Sequence, residues 1–265
     1  MSQDFVGHEE CGMDELIRRV AVANRVLGYW YSQIGSDMFE MHLGHVSSRI
    51  PEEEAIYIRG RPQSDDALIT TQLRDIVKTD LEGRKMDGAT MVALTGETKL
   101  HTCVYSNRDD VGGVCHAHPR FLILASDLGL RLKPMMNEGI DSFPVPVYNS
   151  NAMISTEPHM SGLVGALGKE RACMLRGHGA VTVGATCEEA VIRMIQLEEQ
   201  AKLNYFAFAA AGPGYPGIPE EQAASLRQSI ISSIARTNAS PESQQKQAMH
   251  MNLWDYLASQ VGEPT

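Results

Sequence analysis

Apolar side chains recur at helical spacing near the beginning of the chain. Between Met13 and Tyr29 they include Leu16, Val20 and Leu27, which are separated by four and seven residues. A repeat of three to four residues places such side chains on one face of a helix. The pattern predicts an amphipathic first helix over Met13–Tyr29.

Short apolar runs in the middle of the chain favour β-strands, because buried strands read as apolar runs of four to eight residues between turn signals. We predict strands or extended segments over Ala55–Ile58, Ala67–Thr71, Asp75–Asp80, Gly113–His118, Phe143–Tyr148, Ala172–Leu175 and Ala180–Val183. Leu81–Lys85 is predicted to be a turn. Ile34–Arg49 contains Gly35 and Gly44, and we predict it to be irregular.

Helix signals flank these strands. Pro119 suits the first turn of a helix over Arg120–Leu128. Thr186–Glu189 matches a capping box and opens a long helix that runs to about Ala211. Gly and Pro residues break the pattern over Gly212–Pro219. The remaining predicted helices are Glu97–Ser106, His159–Leu167, Pro219–Ala235 and Pro241–Gln260, the last capped by Ser240.

Strands in the middle with helices around them predict an α/β fold. We expect one domain, with residues 1–212 forming its catalytic part and residues 213–265 forming a C-terminal helical extension of the same domain. No internal repeat or low-complexity segment divides the 265 residues.

Composition narrows the classes of partner. The net charge of −10 disfavours nucleic-acid binding, because phosphate backbones are repelled. Apolar runs fall well short of the ~18 residues that span a bilayer, and Met1–Cys11 has no apolar signal region. Five cysteines without a C-x-x-C pair indicate reduced thiols. We therefore expect a cytoplasmic protein whose partner is a small, anionic molecule.

Three histidines carry the strongest chemical signal. His116 and His118 lie two residues apart at the end of a predicted strand, so both side chains point to one face. His178 lies between Gly177 and Gly179 after another apolar run, and core packing explains it poorly. Three imidazoles with an open coordination position are typical of a catalytic divalent metal site. Zinc, manganese, iron and cobalt all suit such ligands, so the sequence leaves the metal open.

Glu97 and His101 lie at positions i and i+4 of a predicted helix and share one face. Glu97 is a candidate metal ligand or general acid/base. The alternative is a first-turn glutamate favoured by the helix dipole. We interpret His101 as structural.

The order of these motifs resembles the class II aldolase/adducin family from Leu16 to Ala211. The matching segments are G-H-V-S-S-R at 44–49, E-T-K-L-H at 97–101, D-D-V-G-G-V-C-H-A-H at 109–118, L-R-G-H-G-A-V-T-V-G at 175–184 and T-C-E-E-A at 186–190. The resemblance implies a mainly antiparallel sheet in an α/β/α arrangement. It also implies a divalent metal on His116, His118 and His178, with Glu97 as acid/base, in a homo-oligomer such as a tetramer.

The chain departs from the sugar-phosphate aldolases of this family at three places that form their phosphate cradle. Their G-N-x-S is G-H-V-S here, with His45 in place of asparagine. Their T-P-S-G-like turn corresponds to Thr70–Leu73, and their Ser-Ser corresponds to Thr95-Gly96. These differences disfavour a sugar phosphate as the substrate.

The G-H-V-S-x-R form looks like the branch that decarboxylates dihydroxyphthalates and a hydroxy-methylpyridine dicarboxylate. This likeness implies that His45 is catalytic and that Ser47 and Arg49 bind substrate. His45 would contact a carboxylate or ring hydroxyl, and Arg49 would pair with a carboxylate through two hydrogen bonds. The alternatives are a turn histidine bound to backbone and an arginine whose ion pair braces the loop.

The resemblance therefore predicts a metal-dependent carbon–carbon lyase, foremost a decarboxylase of a hydroxylated aromatic dicarboxylate. The cation would stabilise the enolate- or phenolate-like carbanion that is left when the bond breaks. One alternative is an aldolase or epimerase that acts on an unphosphorylated hydroxy-carbonyl compound. Another is a non-catalytic, adducin-like scaffold, which would not need a complete set of metal ligands.

Overall fold

The computed structural model describes residues 12–34, 42–63, 66–86, 92–235 and 253–265. Within this part of the chain, seven strands form one sheet in the order β3-β2-β1-β4-β7-β6-β5. The strands are β1 His45–Arg49, β2 Ala55–Arg59, β3 Ile76–Asp80, β4 Gly113–Ala117, β5 Val147–Tyr148, β6 Ala172–Leu175 and β7 Gly179–Gly184. The β5–β6 pair is parallel, and the other pairs of neighbouring strands are antiparallel.

Helices cover both faces of this sheet. They are α1 Met13–Gln33, α2 Thr98–Asn107, α3 Arg120–Asp127, α4 Glu157–Leu167, α5 Cys187–Ala211, α6 Glu220–Ala235 and α7, residues 253–261. One apolar core packs α1, α3, α5 and α7 against the sheet, and a second packs α2 and α4 against the opposite face. The predicted α/β/α arrangement with a mainly antiparallel sheet is confirmed.

Strand β4 contributes side chains to both cores. Cys115 and Ala117 belong to the core under α1 and α5, whereas Val114 belongs to the core under α2 and α4. Because side chains alternate along a strand, His116 shares the α2/α4 face with Val114. On the neighbouring strand β1, Val46 belongs to the core under α1 and α5. His45 and Ser47 therefore face α2.

The beginning of α5 presses directly against β4. A Cβ on Gly113 would lie 2.3 Å from the backbone nitrogen of Cys187, so only glycine allows this approach. The Thr186 hydroxyl accepts a hydrogen bond from the Glu189 backbone N–H, which confirms the predicted cap. The Glu189 carboxylate accepts from the Ala185 N–H rather than from Thr186, so the reciprocal bond of the capping box is shifted by one residue.

Two sequence predictions about strands are wrong. Ala67–Thr71 contains a 3-10 turn at Leu68–Thr70 instead of a strand. The Arg59 guanidinium donates to the Asp66 carbonyl and the Thr71 hydroxyl, and the segment folds around it rather than pairing with the sheet. Conversely, Ile34–Arg49 was predicted to be irregular but contains β1. This strand is buried, and its polar sequence H-V-S-S-R gives no apolar signal.

Other predicted elements need adjustment. The strand predicted over Phe143–Tyr148 is reduced to Val147–Tyr148. The predicted helix Pro241–Gln260 is described only in its final part, by α7, and Ser240, Gly35 and Cys11 lie outside the described residues. The four described cysteines are buried, free thiols.

None of the described helices combines the length and apolar character needed to cross a membrane.

Candidate active site

Glu97, His116, His118 and His178 converge on one point. Each offers one ligand atom, and these atoms lie within 4.8 Å of one another. His116 Nε2 is 3.0 Å from His118 Nε2 and 3.2 Å from Glu97 Oε2, while Glu97 Oε1 is 3.5 Å from His178 Nε2. The site thus joins β4, the turn between β6 and β7, and the residue that precedes α2.

The backbone around His178 explains why glycines flank it. Gly177 has a φ of 62°, a left-handed conformation that favours glycine. A Cβ on Gly179 would lie 2.2 Å from the Ala117 carbonyl oxygen. The turn can therefore bring His178 beside the end of β4 only with glycine at this position.

The arrangement of donors fits a divalent cation. His116 Nδ1 lies 3.0 Å from the Ala180 carbonyl oxygen, which can only accept, so Nδ1 carries the hydrogen and Nε2 presents a lone pair. That lone pair faces a carboxylate oxygen and a second imidazole nitrogen, an arrangement that a cation between them would stabilise. Ligands bound ~2.1 Å from one ion lie about 3.0–3.4 Å apart, close to the spacings of this cluster.

The charge states suit metal ligation as well. Burial alone would raise the pKa of Glu97, but the neighbouring His116 and His178 outweigh burial and hold its pKa far below the usual range. Burial, together with His116 and His178, lowers the pKa of His118 to about 2. Glu97 is therefore a carboxylate and His118 a neutral imidazole, the forms in which these groups bind metal.

Hydrogen bonds from outside the cluster hold His118 and the segment that follows it. The His118 backbone N–H donates to the Tyr31 hydroxyl at 2.8 Å. The buried Glu198 carboxylate accepts the N–H groups of Phe121 and Leu122 at 2.9 Å each, which anchors the beginning of α3 directly after His118. Such outer contacts orient the ligands of a metal site.

His45 lies beside the cluster. It pairs with His116 across the β1–β4 ladder, and the centroids of the two rings are 5.2 Å apart. Its Nδ1 is 2.6 Å from His101 Nε2, and its Nε2 is 3.1 Å from the Thr95 hydroxyl. The predicted catalytic histidine is therefore close enough to the cluster to contact a molecule held there.

Ser47 and Arg49 are placed differently from their predicted roles. Ser47 is fully buried and bonds internally to His101 Nδ1 and the Tyr105 hydroxyl, at 2.6 and 2.9 Å, so a direct substrate contact does not fit this placement.

The Arg49 guanidinium donates to the backbone carbonyls of Tyr105, Arg108 and Val111. It braces the end of α2 and the following loop, because carbonyls at a helix C-terminus need such donors. These backbone carbonyls bind Nε and Nη2 of Arg49, and the described residues place no ion-pair partner on it.

Two residues of the site were missed in the sequence, and one was given too small a role. Thr95 and Tyr105 bond to His45 and Ser47, and His101 joins them. Glu97, His101 and Tyr105 follow each other at intervals of four residues, so they share one face of α2. That spacing could have identified His101 and Tyr105 in the sequence as neighbours of Glu97.

Aromatic residues near the end of the chain behave mainly as packing groups. The Tyr205 ring lies 5.6 Å from that of Phe121, measured between centroids. Trp254 packs against the larger core, whereas Tyr256 is exposed.

Comparison with known proteins gives consistent matches. The family model described as class II aldolase and adducin N-terminal domain matches residues 32–205. The chain is 32% identical over 197 residues to 3,4-dihydroxyphthalate decarboxylase of Terrabacter sp. (strain DBF63), covering 69% of this chain and 80% of that protein. It is 28% identical over 220 residues to the protein of the same name from Arthrobacter keyseri, covering 78% and 84%.

Among solved structures, L-fuculose 1-phosphate aldolase from Glaciozyma antarctica PI12 superposes with a TM-score of 0.72. The match covers 100% of this chain and 97% of that protein at 20% identity. At this identity the similarity concerns the fold, which is the class II aldolase fold.

Proposed function

Because the chain belongs to the class II aldolase and adducin family, we propose that it is a metal-dependent carbon–carbon lyase that decarboxylates a hydroxylated aromatic dicarboxylate. The observation that carries this proposal is the complete donor set of Glu97, His116, His118 and His178 with His45 beside it. A non-catalytic scaffold would not need that set.

The three histidines would hold a divalent cation, with Glu97 close enough to act as a further ligand. A bound cation supplies positive charge beside the electron pair that is released when a carbon–carbon bond breaks. It also offsets the chain's net charge of −10, which by itself would repel a dianionic substrate.

Decarboxylation needs a proton at the carbon that loses carbon dioxide. We assign this transfer to Glu97, which lies in the middle of the cluster and, as a carboxylate, would first take a proton from the substrate hydroxyl or from solvent and then give it to that carbon. We assign to His45 a hydrogen bond to a substrate carboxylate or ring hydroxyl.

The substrate class is supported from two directions. The parts that cradle phosphate in sugar-phosphate aldolases are replaced here, with His45 and Thr95-Gly96 at two of the positions. In addition, the two relatives named above are both dihydroxyphthalate decarboxylases. An unphosphorylated hydroxy-carbonyl substrate, cleaved or epimerised at the same donor set, is the second candidate.

The test is a substrate screen with controlled metal content. Chelated protein is reloaded separately with Zn²⁺, Mn²⁺, Fe²⁺ or Co²⁺ and given dihydroxyphthalates or hydroxy acids. We expect metal-dependent release of carbon dioxide from the dihydroxyphthalates. Release of an aldehyde from the hydroxy acids would favour the aldolase, and failure to bind any of these metals would favour the scaffold.

A pair of histidine variants gives this test a matched control. His116→Ala is expected to lose metal and activity together. His159→Ala is expected to keep both, because His159 bonds to the Tyr148 hydroxyl and is not a member of the cluster.

We also propose that the protein works in the cytoplasm as a homo-oligomer, a tetramer or a multiple of one. Light scattering coupled to size-exclusion chromatography tests the oligomeric state.

A further inference from the structure

A continuous chain of five polar side chains runs from the interior of the α2/α4 layer to the candidate active site. The Tyr105 hydroxyl is 2.9 Å from Ser47 Oγ, which is 2.6 Å from His101 Nδ1. His101 Nε2 is 2.6 Å from His45 Nδ1, and His45 Nε2 is 3.1 Å from Thr95 Oγ1. We call this set the relay.

All five side chains of the relay are buried, and its inner end is the deepest. Tyr105 is 1% exposed and Ser47 and His101 are 0% exposed, whereas His45 and Thr95 are 7% exposed. Burial raises the pKa of Tyr105 and lowers the pKa of both His101 and His45. The contact between His45 Nδ1 and His101 Nε2 needs a lone pair on one of the two nitrogens, and neither buried ring has an ion-pair partner among the described residues. Both imidazoles are therefore neutral and carry one hydrogen each.

With one hydrogen per imidazole, the two rings have only two joint tautomers. In the outward direction, Tyr105 donates to Ser47, Ser47 to His101, His101 to His45, and His45 to Thr95. In the inward direction Thr95 donates to His45, His45 to His101 and His101 to Ser47, while either hydroxyl of the Ser47–Tyr105 pair can donate to the other.

The hydroxyls of Tyr105 and Ser47, at the inner end of the relay, favour the outward direction. In the inward direction, the Ser47 and Tyr105 hydroxyls have two protons but share only one hydrogen bond, so one of these protons has no acceptor among the described residues, in a place that solvent does not reach. A buried donor without a partner costs ~1–3 kcal/mol.

In the outward direction, Thr95 Oγ1 accepts from both His45 and the Glu97 backbone N–H, which lies 3.0 Å away. The proton without an acceptor is then that of Thr95, at the end of the relay that is next to the candidate active site.

We infer that Tyr105, Ser47 and His101 are positioning residues that hold His45 in the tautomer with its hydrogen on Nε2. A substrate oxygen in the site would then accept the Thr95 hydroxyl hydrogen or, in place of Thr95, the Nε2 hydrogen of His45. Bonds that all run in one direction polarise one another and strengthen the last donor. In the inward direction the Thr95 hydrogen would instead be bonded to the lone pair of His45 Nε2, and the relay would offer no donor to a carboxylate.

The part of this inference that concerns a substrate rests on the proposed function, whereas the tautomer does not. Nitrogen NMR of protein labelled in its histidines and loaded with Zn²⁺ distinguishes the two ring nitrogens. We expect hydrogen on Nε2 and a bare Nδ1 for both His45 and His101, assigned by the loss of signals in His45→Gln and His101→Gln. A hydrogen on Nδ1 of His45 would overturn the inference, whether or not carbon dioxide is released.

Adjacent serines on opposite faces of β1 provide a matched pair of variants. Ser47→Ala removes the donor to His101, and we expect a mixture of His45 tautomers, unchanged zinc content and a KM for the dihydroxyphthalate raised about 3- to 10-fold. Ser48→Ala removes a hydroxyl that donates to the Gly112 carbonyl, outside the relay, and is expected to match the wild type. Equal effects of the two variants on the tautomer and the KM would contradict a positioning role.

Two amide replacements test the donor on His45 itself. A glutamine amide reaches the place of Nε2, whereas an asparagine amide reaches only that of Nδ1. We expect kcat/KM for the dihydroxyphthalate to fall by no more than about 10-fold in His45→Gln and by about 100-fold in His45→Asn. A larger loss in His45→Gln than in His45→Asn would overturn the inference. Absence of activity in the wild type would refute the proposed function and leave the NMR result to decide the tautomer.

Discussion

At the scale of single residues, Glu97 occupies the N-cap of α2 without capping the helix. Its side chain makes no hydrogen bond to the N–H groups of the first turn. Its carboxylate instead lies 3.2 and 3.5 Å from the Nε2 atoms of His116 and His178. The nearby Thr95 hydroxyl accepts the Glu97 backbone N–H. Glu97 thus occupies the position of a helix cap, but its carboxylate contacts the histidines of the cluster instead of the helix.

Replacing Glu97 by glutamine tests this separation of roles. Glu97→Gln should keep bound metal through the three histidines but lower kcat by about 10²- to 10⁴-fold, because an amide cannot transfer the proton. Metal analysis and initial rates provide the measurement. Glu157→Gln, at an exposed carboxylate in the first turn of α4, is the control. Full activity of Glu97→Gln would remove Glu97 from the reaction.

The buried His101 predicts a loss of stability in acid. Burial lowers its folded-state pKa to about 3, against about 6.5 in an unfolded chain. Between these values the unfolded state binds the extra proton, so the free energy of unfolding decreases as the pH falls. His101 alone contributes a slope of ~1.4 kcal/mol per pH unit in this interval. Urea titrations of chelated protein should show a smaller slope for His101→Gln than for the wild type.

At the scale of elements, the contact between β4 and the beginning of α5 sets the position of His116. Gly113 lies where any side chain would meet the backbone of Thr186 and Cys187. His116 follows three residues later on the same short strand. Strand β4 is also the central strand of the sheet and is paired with β1 and β7. A shift of β4 would therefore disturb its register with both neighbours.

Gly113→Ala should therefore weaken the protein. The added methyl must push α5 away from β4, and overpacking of this kind costs ~1–3 kcal/mol in the free energy of unfolding. Urea denaturation measures the loss. Gly165→Ala in α4 is the matched control, because its Cβ would meet no atom within 4 Å and alanine favours a helix. Equal stability of the two variants would show that β4 and α5 separate easily.

At the scale of the whole molecule, the candidate metal ligands come from three distant segments. Glu97 precedes α2, His116 lies on β4, His118 directly follows β4, and His178 lies between β6 and β7. These segments meet only when the sheet is complete. An ion bound to all of them would therefore bind the folded chain far better than the unfolded one.

Metal removal should consequently lower the thermal stability. An ion present at 100 times its Kd stabilises the folded state by ~2.7 kcal/mol, which corresponds to a shift in Tm of roughly 5–10 °C for a chain of this size. Thermal scans with and without a chelator measure the shift. It should vanish in His178→Ala and persist in His159→Ala. A shift that is the same in both variants would place the ion elsewhere.

The candidate metal ligands and the fold class were both predicted from the sequence, and the structure brings these candidate ligands together. The spacing of two residues between His116 and His118 is a local signal, because it places both side chains on one face of a strand. The glycines on either side of His178 are also a local signal, because they indicate a tight turn. The long helices were predicted for the same reason, since their apolar repeat and caps are local. The polar strand β1 and the 3-10 turn at Leu68–Thr70 carry no such repeat, and their conformation depends on partners far along the chain.

The polar contacts of His45 could not be predicted from the local sequence. The resemblance of G-H-V-S-x-R to the decarboxylating branch of the family nominated His45, Ser47 and Arg49 together, as three members of one motif. Folding separates them: His45 lies against His116, Ser47 turns inward to His101, and Arg49 bonds to the end of α2. Local order along the chain determines which face a side chain occupies. The packing of α2 across β1, which joins residues more than fifty positions apart, determines what each side chain contacts there.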